Sequence, residues 1–355
     1  MKWTLKIVIS VLMISYFLSA ALLRLSTNVL TSVFSWVSSL WMGLWLHLLA
    51  VLALFWLTHA ISRSREKAPS DRTTFGVLVG LAMVVTAYGT INAFSVTVKR
   101  FDFQLDDLPE QWRGKTVVQL SDVHLGSIRG SRFLSNVIHQ VNELEPDLIV
   151  ITGDLFDGMG GDLQSFTEQL TELSVSRDAF FVTGNHEGYL GLTEPLSLVA
   201  QAGMRILDDE VVELDGLQIA GASFPEFGTL NKTRSVTRMG QAIDPTKPCI
   251  LLYHTPTDVG ESLSGRAEQQ ASTYLAPDTD FSFPREFRVD LQLSGHTHEG
   301  QIFPFTYLTS WIFDGYHYGL HNLDDFHLYI TSGVGTWGPP LRTGSKSEIV
   351  AVTLR

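Results

Sequence analysis

The sequence predicts an α/β protein with two sheets flanked by helices, preceded by a helical region that crosses a bilayer. Long uncharged apolar runs fill the first hundred residues. From Thr116 onward, short apolar runs alternate with helical patterns. Charge divides in the same place. Residues 1–100 carry 9 Lys/Arg and 2 Asp/Glu, whereas residues 101–355 carry 16 and 35, a net charge of −19. The expected division is a transmembrane region of about three helices over 1–100 and one domain over 101–355. A length of 355 residues allows roughly two to three domains. The one cysteine, Cys249, excludes an intrachain disulfide and a cysteine-cluster metal site. An acidic C-terminal part excludes a general nucleic-acid binder, which needs a basic surface.

Three runs lack Asp, Glu, Lys and Arg: Ile7–Leu23, Leu25–Ser62 and Thr73–Val98. A spanning helix needs about 20 mostly apolar residues. The second run holds one span near Phe34–Leu57, with Trp36, Trp41, Trp45 and Trp56 toward its ends, where interfacial aromatics collect. Gly76, Gly80 and Gly89 in the third run permit close helix approach in lipid. The first run follows Lys2 and Lys6 and ends in Ser19-Ala20-Ala21, so it reads either as a retained anchor or as a cleaved signal peptide. Its length favours the anchor. Arg63, Arg65, Lys67 and Arg72 lie between spans two and three, on the side shared with Lys2 and Lys6. Basic short loops stay inside, which predicts a multi-pass cell-membrane protein with residues 101–355 extracytoplasmic.

Strands are expected at Thr116–Leu120, Leu148–Thr152 and Ala179–Thr183, separated by helical segments at Gly130–Leu144 and Leu163–Leu173. This β-α-β-α-β order implies a parallel sheet. Val211–Leu214, Leu217–Ala220, Ile250–Tyr253, Leu291–Leu293, Phe326–Thr331 and Ile349–Leu354 follow as close-spaced strands, which suggests a second sheet packed on the first.

Metal-ligand residue types stand immediately after the strands: Asp122 and His124, Asp154 and Asp157, Asn185 and His186, His254, then His296 and His298. Ligands in open α/β sheets bind beyond the carboxyl ends of strands. A lone histidine is more often structural, and a lone aspartate is more often a cap or turn. Five such clusters are hard to obtain as turn chemistry. Asp-x-His and His-x-His place both side chains on one face if the backbone stays strand-like. Mixed Asp, Asn and His donors suit Mn, Fe, Zn or Co. Of these, Asp122, His124, Asp154, Asn185, His254, His296 and His298 give seven donors, which exceed one tetrahedral ion and suit two ions sharing a carboxylate, a pair that can clamp the attacking and leaving oxygens of phosphoryl transfer.

The series Asp-x-His, Gly-Asp-x-x-Asp, Gly-Asn-His-Glu, His and Gly-His-x-His resembles the calcineurin-like metallophosphoesterase superfamily. Ser121–Gly126, Gly153–Gly158, Gly295–Ile302 and the tail from Ser332 to Arg342 look like its membrane-anchored bacterial subgroup. The resemblance implies a two-sheet metallophosphoesterase sandwich. It also implies one ion on Asp122, His124, Asp154 and His298, and a second on Asp154, Asn185, His254 and His296. His186 would stabilise phosphate charge or protonate the leaving oxygen. Glu299 departs from the subgroup, which usually has glycine there. It is expected to alter the surroundings of the ligands or the approach of phosphate.

Other residues keep two readings. Asp157 hydrogen-bonds a ligand histidine or serves a turn. Arg342 forks a phosphate or lies on the surface. Cys249 reads as a small core residue. His317, His321 and His327 are given no metal role. The aromatics from Phe303 to Tyr318 are core, or they form a lipid-facing lip. The expected activity is hydrolysis of a phosphate ester or phosphodiester of a lipid or lipid-linked substrate, with the bilayer as partner. The alternatives are pyrophosphate hydrolysis of a nucleotide-linked diacylglucosamine and a non-enzymatic metal-binding membrane protein. A transporter lacks intramembrane charges to form a pathway.

Overall fold

The structure, a computed structural model, describes residues 2–62, 71–159, 162–225, 232–259, 277–324 and 326–355. Arg63, Arg65 and Lys67 of the basic loop lie outside the described residues. The three uncharged runs form helices α1 (Lys2–Leu25), α2 (Val29–Ser62) and α3 (Asp71–Phe94). Val29–Ile61 and Arg72–Phe94 are long and apolar enough to cross a membrane by length and composition. At 34 residues α2 is about 51 Å long, more than a bilayer's hydrocarbon thickness of roughly 30 Å. The excess packs on the rest of the chain. The Ser127 hydroxyl donates to Ser35 Oγ at 3.3 Å, and Gly43 leaves room for Leu341, with which a Cβ would collide. Beyond His47, α2 exposes Leu49, Leu52, Leu54, Trp56, Leu57 and Ile61. His47 Nδ1 pairs at 2.7 Å with the Thr86 hydroxyl of α3, which itself donates to Ala82 O.

Helix α3 runs almost directly into β1 (Val96–Phe103), a strand the pattern of the sequence does not announce. It pairs in parallel with the last strand, Ser347–Leu354, from Val96↔Ser347 to Phe103↔Leu354. Val96, Val98, Phe101 and Phe103 break the two-residue period, and the partner lies some 250 residues away. The junction is locked further by Asn92 Nδ2, which donates to Arg342 O at 2.8 Å and Ser345 O at 2.9 Å. The guanidinium of Arg129, fully buried, stacks 3.9 Å from the centre of the Phe94 ring.

The predicted β-α-β-α-β unit is present as β2 (Thr116–Leu120), α4 (Ser131–Asn142), β3 (Leu148–Thr152), α5 (Gln164–Leu170) and β4 (Asp178–Val182). Neighbouring strands of this unit are parallel. Short helices α6 (Asn185–Leu190) and α7 (Thr193–Gln201) lead to β5 (Arg205–Ile206). Then come β6 (Glu210–Leu214), β7 (Leu217–Ala222), helix α8 (Lys232–Ala242), β8 (Cys249–Tyr253) and β9 (Leu291–Ser294). The chain ends in β10 (Gly319–Asn322), β11 (His327–Ile330) and β12 (Ser347–Leu354). The first sheet has the order β1-β12-β2-β3-β4-β5 and the second β10-β11-β9-β8-β7-β6. The expected second sheet is therefore present, while Ile349–Leu354 belongs to the first.

The sheets face each other across one apolar layer. Val117, Leu148, Val150, Phe180 and Val182 of the first meet Ile219, Ile250, Leu252, Leu291 and Leu293 of the second. Helices α4, α5 and α7 cover the outer face of the first sheet through Phe133, Val137, Leu170 and Leu198. Val236 and Met239 of α8 pack on the outer face of the second. Cys249 lies in that layer as the expected small core residue.

Phe180 is fully buried between the sheets, so Phe180→Ala leaves a cavity that rigid strands cannot close. The expected loss is about 3–5 kcal/mol, read as a lowered midpoint of urea unfolding of the detergent-solubilised chain.

Candidate metal centre

Strand polarity makes the site. In β2, β3, β4, β8 and β9 the chain leaves each strand toward the same edge, and the polar residues lie just past those ends. Asp122, His124, Asp154, Asn185, His254 and His298 are all buried, and His296 is half-buried. The local backbone differs from the strand-like geometry expected for Asp-x-His and His-x-His. Asp122 (φ 53), His124 (φ 52), His296 (φ 69) and His298 (φ 50) are left-handed, as is Asp154 (φ 53). The strands have already ended, so tight turns rather than the pleat aim both side chains of each pair inward. Such positions cost about 1–2 kcal/mol per non-glycine residue and concentrate at functional sites.

Two groups of donors result, and Asp154 touches both. In the first, His298 Nε2 lies 3.2 Å from Asp122 Oδ1 and 3.1 Å from His124 Nε2, which is 3.9 Å from Asp154 Oδ2. In the second, His254 Nε2 lies 3.2 Å from Asp154 Oδ2, 3.2 Å from Asn185 Oδ1 and 3.1 Å from His296 Nδ1. The seven residues singled out as ligands are thus brought together around Asp154. These separations suit donors around an ion with bonds of about 2.0–2.2 Å.

Hydrogen bonding prepares the donors. Thr152 O accepts the Nδ1 proton of His254 at 2.8 Å, which leaves Nε2 turned toward Asp154. Asp122 accepts from the Ser121 hydroxyl at 2.6 Å and from His296 N at 3.0 Å. Burial pushes the Asp122 carboxyl up, but the charge and hydrogen bond of His298 outweigh it and hold it below the usual range. Asp154 is held well below for the same reason, with His254 as the opposing partner. Burial, with His186 nearby, keeps His124 well below its ordinary value, and burial with His254 beside it brings His296 down to about 3. Burial acts against His254 too, but Asp154 raises it to about 9. A proton there occupies the place that an ion takes on binding. His124 Nδ1 is buried without a hydrogen-bond partner. Two ionised carboxylates among imidazoles, with ring nitrogen atoms facing each other at 3.1 Å, fit divalent cations that would take the place of the His254 proton.

His186 stands at the rim. Its Nδ1 accepts from Gly158 N at 3.0 Å, so the neutral ring carries its proton on Nε2, 4.0 Å from Asp154 Oδ2. Asp157 does not bond a ligand histidine. Its Oδ1 is 3.7 Å from His186 Nδ1, and burial raises its carboxyl to about 6. Together with His124 these two form a third converging group.

Some structural contributors are not evident in the sequence. Glu187, fully buried, accepts from Gly184 N at 2.8 Å, Asp154 N at 3.0 Å and Phe156 N at 3.2 Å, tying the ends of β3 and β4 together. Its position one residue after His186 was the available signal. Gly184 is required beside it, because a Cβ there would collide with Asp154 Oδ1. Arg342 is neither a phosphate fork nor a surface residue. It is fully buried, and its Nη2 donates to Ser332 O at 2.6 Å and Gly335 O at 2.7 Å, which shapes the turn beside Asp122. Glu299 sits at φ 53, the conformation that favours the glycine of the subgroup. It lines a cavity of about 480 Å³ with Tyr88, Lys99, Lys346 and Glu348, and none of the seven ligands lines that cavity.

This donor set on this sandwich defines a metal-dependent phosphoester hydrolase. The chain belongs to the calcineurin-like phosphoesterase family, which matches residues 115–300. It is 33% identical over 292 residues to an uncharacterized metallophosphoesterase of Campylobacter jejuni, covering 80% of this chain and 70% of that one. It is 30% identical over 341 residues to a zebrafish (Danio rerio) transmembrane protein with metallophosphoesterase domain, covering 88% of this chain and 72% of that one. A metallophosphoesterase of Aquifex aeolicus is 30% identical over 279 residues, covering 78% of this chain and 98% of that one. The apolar helices and the zebrafish relative both point to membrane association.

Removing Glu187 leaves three buried N–H groups unpaired beside Asp154. Glu187→Ala should weaken divalent-metal binding about 10–100-fold by titration calorimetry, and Glu187→Gln, which keeps an acceptor, should weaken it less. Equal affinities in wild type and Glu187→Ala would refute this positioning role.

Proposed function

We propose that the chain is a membrane-anchored, two-metal phosphoesterase that hydrolyses a phosphate ester or diester of a lipid or lipid-linked substrate. The observation that carries this reading is contact between the metal centre's rim and an apolar helix. Arg24 of α1 donates to Gly158 O at 3.2 Å, and the Tyr16 hydroxyl reaches Met159 Sδ at 3.8 Å. Gly158 is also the residue whose N–H holds His186. A phosphate entering along α1 therefore arrives beside His186, with a cationic side chain at the entrance.

One ion would be held by Asp122, His124, Asp154 and His298, and the other by Asp154, Asn185, His254 and His296. Mn, Fe, Zn or Co suits this donor set. When bound, such a pair polarises phosphoryl oxygens and lowers the pKa of water. The chain's own groups supply the rest. Asp154 reaches both donor sets through one carboxylate and fixes their spacing. It also accepts from His186 N at 2.8 Å, which sets the start of α6. The Nε2 proton of His186 is presented to a phosphoryl or leaving oxygen, and Gly158 N prevents the ring from turning over.

Loss of one donor to the developing phosphate charge costs about 10²–10³-fold in turnover, so His186→Ala should lose this much on a phosphodiester panel while metal analysis still finds two ions per chain. Metal loss in that variant would make His186 a ligand and overturn the role. Asp154→Ala should lose both metal and activity and remain folded by circular dichroism; an active variant with two ions refutes the shared carboxylate.

The charge of the segment from Arg63 to Arg72 supports an extracytoplasmic domain. Protease added to intact spheroplasts should then digest residues 101–355. Protection until the membrane is permeabilised would place the domain in the cytoplasm and overturn this orientation.

A further inference from the structure

The apolar surface of this chain is unevenly placed. Among the described residues after α3, eight large apolar side chains are exposed, and five of them lie within nine positions: Phe303, Phe305, Tyr307, Leu308 and Trp311. Trp311 is 75% exposed and Tyr307 71%. They belong to the helix Phe305–Ile312 and its approach, a segment with no charged residue and no buried one within the helix. A core role, one of the two sequence readings, does not describe these five. Phe313, directly after the helix, is buried and lies 6.2 Å from the His296 ring, so the exposed group begins at the wall of the metal centre.

The group is also tied to the membrane helices. Phe303 N donates to Thr343 Oγ1 at 3.1 Å, and a Cβ on Gly344 would press on Thr306 Cγ2 at 2.6 Å. The same short segment meets α3, where Arg342 N donates to Gly89 O at 2.9 Å and Gly89 makes room for Thr343 Cγ2. On the other side, exposed Trp337 accepts at its carbonyl from Gln301, and the next residue, Gly338, faces the Tyr16 hydroxyl of α1. Exposed Tyr88 and Ile91 of α3 and Phe17 and Leu18 of α1 continue the apolar surface from these contacts.

We propose that the helix Phe305–Ile312 lies in the headgroup layer of the bilayer that α1–α3 cross, and that it holds the metal centre's mouth against the lipid surface. Trp, Tyr and Phe with no charge are the composition of such interfacial elements, whose rings prefer the boundary between apolar chains and water. Continuity with the apolar helices through residues 337–344 selects a lipid surface over a protein partner. The inference deepens the lipid-phosphate reading, because it names how a substrate confined to the bilayer reaches His186 and the ligands.

The test uses the full chain in nanodiscs of phosphatidylcholine and phosphatidylglycerol. Its one native cysteine, Cys249, is buried, so Trp311→Cys can be labelled alone with an environment-sensitive NBD dye. Emission should shift to the blue and be quenched by lipid carrying a nitroxide near the headgroup, whereas the same label at Glu110→Cys, an exposed position, stays unquenched. Equal quenching at both positions, or disulfide cross-linking of Trp311→Cys between copies without quenching, overturns the proposal. A second variant reads function. Tyr307→Glu with Trp311→Glu should lower kcat/KM at least tenfold on a phospholipid ester in vesicles and leave a water-soluble nitrophenyl phosphodiester unchanged. Equal loss on both substrates overturns it. If the wild type cleaves only the soluble ester, the lipid-substrate reading fails, and the quenching result alone decides the docking of the helix.

Discussion

Asp154 is the side chain on which the rest of the centre depends. One buried carboxylate lies 3.2 Å from His254, 3.9 Å from His124 and 4.0 Å from His186, and it accepts the backbone N–H of His186. A carboxylate in that position is costly to bury without cations, because an isolated charge loses its hydration. Asp122 repeats the problem a few ångströms away, and the neighbouring imidazoles answer it, holding both carboxyls below the usual range. Glu187 adds a third buried acid, raised to about 7 by burial and by Asp154.

The backbone carries a parallel cost. Five of the seven donor residues adopt left-handed conformations in turns that leave the strands abruptly. Strands buried in a two-sided sandwich can hold such turns, since Val150, Ile151 and Leu120 below them are anchored by apolar contacts on both faces of the first sheet. Arg342 and Glu187 do the fine positioning by satisfying carbonyl and N–H groups that the turns would otherwise leave unpaired. Stability in the sandwich is thus what makes strain at its edge tolerable.

The helical region is built into the same body. α3 passes into β1, β1 zips along β12, and β12 is hydrogen-bonded to β2, the strand that ends before Asp122. Arg129 and Phe94 reinforce this junction, and α1 touches the loop that carries His186's backbone partner. The apolar helices and the metal centre consequently share a fixed geometry. A flexible tether would have let the centre face in any direction.

Much of this was legible in the chain itself. Thr116–Leu120, Leu148–Thr152 and the sites after them are local patterns, in which apolar runs specify strands and the next polar residues must project from their ends. The seven candidate ligands and His186 could be singled out for that reason. Other features depend on partners distant in sequence. β1 pairs with residues some 250 positions later, and Asn92 Nδ2 finds the Arg342 carbonyl at a like separation. The Asp-x-His pair shows the same division. Its chemistry was readable from residue type, but its geometry was not, because left-handed turns there are imposed by tertiary packing against intrinsic preference. Which aromatics are core and which face outward was likewise decided by the fold, since burial is a property of neighbours and composition alone cannot assign it.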